Sequence, residues 1–159
     1  MGHEELIVER SGSVARLSIN RPKRLNALRM TVTDRAILDA LKECEQDDEI
    51  KVIILTGVGE KAFCTGWDFE EIDESSLADL ENLIRLNLEL FFGVWNSKLP
   101  IIAAINGYAI GTGSALALAC DLALAADHAQ LGEPEIRHGA LSPFLVLPFF
   151  THSKAVHEI

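Results

Sequence analysis

The chain has 159 residues, 48% of them apolar, which suits a single domain with a full hydrophobic core. A formal net charge of −10 weighs against nucleic acid or an anionic membrane as partner, since both need clustered Lys and Arg, while leaving room for a phosphorylated small molecule bound by a few local cations. Mean hydropathy is slightly positive at +0.18, yet Asn106, Asp121 and Asp127 break the longest apolar stretches, so none spans a bilayer.

In chain order, the opening MGHEELIVERSG is acidic and lacks the basic-then-apolar order of a signal peptide. Residues 6–9 and 14–20 read as paired strands. Arg21-Pro22 interrupts the second strand and leaves Lys23-Arg24 as a basic corner. A helix is predicted over about residues 31–45, where Ile37, Ala40, Leu41 and Cys44 recur at one helical face. Residues 51–56, KVIILT, form a continuous apolar strand ended by Gly57 and Gly59. The loop 63–68, FCTGWD, leads into the acidic segment 70–76, read as a solvated face. A second amphipathic helix covers roughly residues 77–95, with Leu80, Leu83, Ile84, Asn87, Leu90, Phe91 and Val94 along one side, and Pro100 stops it. Cys44, Cys64 and Cys120 are odd in number and far apart, which points to reduced thiols and a cytoplasmic setting.

The most informative stretch is residues 101–127, IIAAINGYAIGTGSALALACDLALAAD. An apolar strand runs into the small-residue turn Gly111-Thr112-Gly113, which opens an Ala/Leu-rich helix, and a short strand at 122–126 follows. A helix start leaves backbone N–H groups without intrahelical partners. Donors fixed in this way suit an anion, or a carbonyl oxygen that becomes negative during reaction. The pattern therefore reads as an enzyme. Alternating strands and helices predict one α/β domain with right-handed crossovers. The apolar run FLVLPFF at 144–150, close to the chain end, requires a partner surface; the expectation is a domain truncated at its C-terminus, although a dimer or trimer contact would also cover the run.

Other constellations carry less. The five histidines show no ligand spacing with Cys or carboxylate, so no metal site is expected. Ser114 has no G-x-S-x-G elbow around it. Asp121 and Asp127 read as turn caps, Glu133 as solvent-facing and His138 as a surface or buried structural histidine.

Four segments resemble the crotonase, or enoyl-CoA hydratase/isomerase, superfamily: LSINRPKRLNAL (17–28), KVIILTGVGEKAFCTGWDFEEI (51–72), LPIIAAINGYAIGTGSALALACDLALAAD (99–127) and LGEPEIRHGAL (131–141). They stand in the family's order and at its spacings, and cover a little over half of a usual family domain. The resemblance implies a spiral of ββα units lacking its C-terminal helical part. It also implies an acyl-CoA thioester as substrate, with coenzyme A as part of that substrate and no separate cofactor, and a homotrimer or dimer of trimers. Two main-chain amides would form an oxyanion hole for the thioester carbonyl. The family pattern AFxAGxD places the first donor at Trp67, and the middle of the GTG turn places the second at Thr112. A positive φ at Thr112 would strain its β-branched side chain, whereas an ordinary helical φ would not. By the same resemblance, Trp67, Asp68, Phe69 and Glu70 lie against the CoA moiety, and Lys23 and Arg24 lie near its phosphates.

The departures bear on chemistry. Hydratases of the family carry two glutamates, and the first of these positions is Ala115 here, while the second, in GxPE, is Glu135. Paired carboxylates add water by complementary protonation states; one carboxylate is enough to move a proton along an enoyl chain. The resemblance with Glu135 as sole base therefore implies isomerisation first. Atypical hydration or carbon–carbon cleavage follows, and a non-catalytic acyl-CoA-binding or assembly remnant is the rival of another class. The Trp67 indole should reshape the acyl pocket, Glu70 stands where a lysine occurs in relatives, and SPFLV (142–146) replaces the usual PGxGG.

Overall fold

The computed structural model describes residues 4–29, 31–68, 70 and 77–138, with 77–80, 136 and 138 described in their backbone only. Strands β1 (Leu6–Ser11) and β2 (Val14–Ile19) form an antiparallel hairpin. Helix α1 (Thr33–Gln46), strands β3 (Val52–Gly57) and β4 (Ala62–Cys64), and helix α2 (Leu77–Trp95) follow. Then come β5 (Ile101–Ile105), β6 (Tyr108–Ile110), helix α3 (Thr112–Ala119), β7 (Leu122–Ala125) and β8 (Gln130–Gly132).

The strands make two sheets. The larger has the order β1-β2-β3-β5-β7 and is parallel from β2 onward; the smaller is β4-β6-β8, all parallel. The α/β class is as expected, and the long elements fall where periodicity puts them. The smaller sheet does not follow the sequence reading. Ala62–Cys64 belongs to a strand rather than to the loop assigned from residue 63, and β6 and β8 had no predicted counterpart.

Parallel strands buried between layers are apolar along their length. In β3, Ile53 and Leu55 are fully buried and the alternate residues half-buried. Helix α1 covers the sheet with Ile37, Ala40, Leu41 and Cys44. On α2, Leu86, Asn87, Leu90, Phe91 and Val94 are buried, whereas Ile84, assigned to the inner face, is exposed. Helix α3 touches strands of both sheets, and its short apolar sequence buries Ala115, Leu116, Ala117 and Ala119. Asp121 accepts a 2.8 Å hydrogen bond from the Ile101 amide and so caps the entry to β5. Among the described residues no helix is long and apolar enough to cross a membrane, and no His, Cys, Asp and Glu cluster has metal-site geometry. The run at 144–150 lies outside the described residues.

Candidate active site

Three segments converge at the N-terminus of α3. The first is the loop after β4. Leu28 donates to the Gly66 carbonyl at 2.7 Å, and Asp68 donates to the Leu28 carbonyl at 3.0 Å. This is a parallel bridge between Leu28 and Trp67. In such a bridge the central residue turns its own N–H and C=O to the opposite edge, so the Trp67 amide faces away from Leu28. Gly66 permits the turn: its φ is +80°, and a β-carbon there would stand 3.0 Å from the Ile110 carbonyl oxygen and 3.2 Å from the Thr112 nitrogen.

The second segment is the Gly-rich turn itself. Gly111 caps α3 with φ 56°, and among the described residues the only non-glycine positions with positive φ are Leu25 and Asn26. Thr112 therefore carries no left-handed strain, and its β-branched side chain is compatible with the turn. Among the described residues, neither the Trp67 amide nor the Thr112 amide donates a backbone hydrogen bond. Two unengaged amides on abutting loops, one of them at a helix start, can hold a developing oxyanion.

The third segment is the 3-10 turn Pro134–His138 after β8. It swings the Glu135 carboxyl over Gly111, so that a β-carbon on Gly111 would lie 2.5 Å from Glu135 Oε1. Glu135 Oε2 is buried with no hydrogen-bond partner among the described residues. An acceptor in that state is available to a substrate proton. Glu133 is not the solvent-facing residue expected: it is half-buried, and Ser114 in the first turn of α3 donates its hydroxyl to Glu133 Oε1. Ala115 is fully buried.

The basic corner looks different from its sequence reading. Lys23 is exposed in the 3-10 turn Pro22–Arg24. Arg24, by contrast, bonds Asp68 Oδ1 at 2.8 Å and Glu70 Oε1 at 2.9 Å, so its charge is largely answered within the chain. Arg21, which sequence reasoning passed over, bonds Asp68 Oδ2 at 2.8 Å and the Ala27 carbonyl at 2.6 Å. Arg24 and then Arg21 hold the Asp68 carboxyl below the usual carboxylate range. Asn26 was also missed. Its buried carboxamide donates to the carbonyls of Val58 and Ala62 and accepts from the Arg21 amide, tying the corner to the β3–β4 loop. The only available signal was an Asn at the end of a basic turn, a residue that tolerates left-handed φ. Phe69 and the side chain of His138 lie outside the described residues.

Comparison with known proteins agrees with the fold and the motif order. The family model for Enoyl-CoA hydratase/isomerase matches residues 9–156. A short-chain-enoyl-CoA hydratase of Clostridium acetobutylicum is 37% identical over 139 residues, which is 87% of this chain and 53% of that protein. A crotonyl-CoA hydratase of Syntrophomonas wolfei is 35% identical, covering 91% of this chain and 55% of its own length. The crystal structure of an enoyl-CoA hydratase from Bacillus anthracis superposes with a TM-score of 0.87 at 31% identity, over 91% of this chain and 57% of that one. The chain thus spans about half the length of the curated relatives it matches, and it belongs to the enoyl-CoA hydratase/isomerase family.

Proposed function

We propose that the chain processes an acyl-CoA thioester through an enolate, with the Trp67 and Thr112 amides as oxyanion donors and Glu135 as general base. The observation that carries this reading is the Glu135 carboxyl over Gly111, one residue from the unengaged Thr112 amide, with Oε2 unpartnered. Proton abstraction from the carbon α to the thioester leaves negative charge on the carbonyl oxygen, where two amides stabilise it; each such donor is worth about 2.7–4 kcal/mol in other enzymes. Returning the proton further along the chain completes an enoyl isomerisation, which one carboxylate can perform. Trp67, Asp68, Phe69 and Glu70, with Lys23 and Arg24, would flank the CoA moiety. Because Arg24 already answers Asp68 and Glu70, Lys23 is the better phosphate contact of the two. Buried free thiols at Cys44, Cys64 and Cys120 support a cytoplasmic setting, and assembly as a trimer or dimer of trimers belongs to the same reading.

A second reading, water addition, is favoured by the Ser114–Glu133 contact, which brings a second carboxylate to the first turn of α3, and by relatives that are themselves named hydratases. Both readings are tested by following α-proton exchange of a CoA thioester in D₂O. Glu135→Gln should slow exchange by about 10²–10⁴-fold while thioester binding persists. Exchange at the parental rate would remove Glu135 from the chemistry, and binding with no exchange in the parent chain would make it a binder only.

A further inference from the structure

Beneath the Gly-rich turn lies a carboxyl group that the proposed chemistry does not use. Asp34, in the first turn of α1, is 0% exposed, and Asn87 of α2 is 1% exposed. Asn87 Nδ2 donates to Asp34 Oδ2 at 3.3 Å. The remaining oxygens, Asp34 Oδ1 and Asn87 Oδ1, are both buried and both lack a hydrogen-bond partner among the described residues. A carboxylate and an amide oxygen are acceptors only and cannot satisfy each other without a proton. Rotating the carboxamide by a half-turn does not help, since its oxygen would then face a carboxylate oxygen. Solvent offers no relief on the far side of Asn87, where it packs with Leu90, Phe91, Thr112 and Leu116 around a space with no room for water. No cation reaches Asp34 among the described residues, and an ionised carboxylate buried alone is strongly disfavoured.

We propose that Asp34 is a neutral carboxylic acid paired reciprocally with the Asn87 carboxamide, Oδ1–H to Asn87 Oδ1 and Nδ2–H to Asp34 Oδ2, and that this pair is a positioning element for the Thr112 amide. The link runs through one layer of packing: Asp34 holds Asn87, and Asn87 and Thr112 line the same small space between α2 and the start of α3. Burial supports the neutral form, pushing the Asp34 carboxyl up to about 7, with the Asn87 bond pulling it partly back. The groups around Asp34 leave that balance alone. From β4, the Cys64 thiol is itself pushed up to about 12, chiefly by burial. Arg35 of α1 and Arg85 and Glu89 of α2 line a separate outer groove. Beside the β1–β2 hairpin, Glu5 is bonded by Arg29 and Thr33, and α3 carries no titratable side chain.

The catalytic meaning of the pair rests on Thr112 being an oxyanion donor, but its test reads the amide directly. The isotopically labelled full chain is titrated by NMR from about pH 5 to about pH 9, a window chosen to lie above the ordinary carboxylate range. The Asp34 carboxyl carbon should titrate with a midpoint near 7, and the Thr112 amide resonance should move along the same curve. Asp34→Asn keeps both bonds of the pair with no proton to lose, so the Thr112 amide should stop moving. An Asp34 carboxyl already fully titrated at the start of the window would overturn the neutral acid. A Thr112 amide that stays still in the parent, or moves equally in the variant, would overturn the positioning role. If Asp34→Asn does not fold, the parental titration decides alone. Loss of the Glu135 mechanism would leave these resonances untouched, so the two readings fail separately.

Discussion

The site depends at the residue scale on a backbone approach that admits no side chain. At Gly66 a β-carbon would meet the Ile110 carbonyl and the Thr112 nitrogen at 3.0 and 3.2 Å, on a backbone with φ +80°. Both effects penalise Gly66→Ala: strain at positive φ costs about 1–3 kcal/mol, and relief would come by pushing apart the two loops that carry the proposed oxyanion donors. A displacement near 1 Å at a reacting centre costs roughly 10²-fold in rate. The expected outcome is therefore a modest fall in the urea midpoint with a disproportionate fall in α-proton exchange. A variant that loses stability and keeps its exchange rate would show that the approach of the loops does not matter to the chemistry. Other site residues were not open to sequence reasoning in the same way. The Ser114–Glu133 bond joins residues on α3 and after β8, and Asp34 in a first helical turn reads as an ordinary dipole partner. A polar Asn87 among Leu90, Phe91 and Val94 was the one visible sign of a buried polar pair.

At the scale of elements, legibility followed length. Helix α2 and strand β5 have the predicted bounds because long amphipathic or uniformly apolar runs declare their period. Strands β4, β6 and β8 have three residues each, too few for a two-residue alternation to rise above the surrounding loop chemistry. Yet those strands carry the loop after β4, the start of α3 and the Glu135 turn, so what was least legible is what assembles the site. At the other end of the larger sheet, β7 is predictable in position but unusual in environment. All four of its residues are exposed, Leu122 at 62% and Leu124 at 68%, and among the described residues it is last in the sheet order. An apolar edge strand of this kind templates association with another chain. Sedimentation of the chain should show concentration-dependent self-association that Leu124→Lys weakens without altering the fold. Unchanged association in the variant would locate the contact elsewhere.

For the whole molecule, two buried carboxyl groups, Asp68 and Asp34, pull stability in opposite directions with pH. Asp68 is held low by Arg24 and Arg21, so its contribution is complete above the unfolded carboxylate value of about 3.9 and is lost as pH falls through the folded value. Asp34 is held high, near 7. Its contribution is complete below the unfolded value and is lost as pH rises through the folded one. The net charge of −10 adds self-repulsion that also grows toward alkaline pH. Maximal stability should thus fall near about pH 4, where the two contributions meet, and decline from there toward about pH 7. Urea midpoints measured across this range separate the contributions. Asp68→Asn should flatten the acid limb and Asp34→Asn the limb approaching neutrality, leaving only the shallower slope of general repulsion. If Asp34→Asn left that upper limb as steep as in the parent, the decline would belong to surface charge, and burial of Asp34 would have no thermodynamic expression.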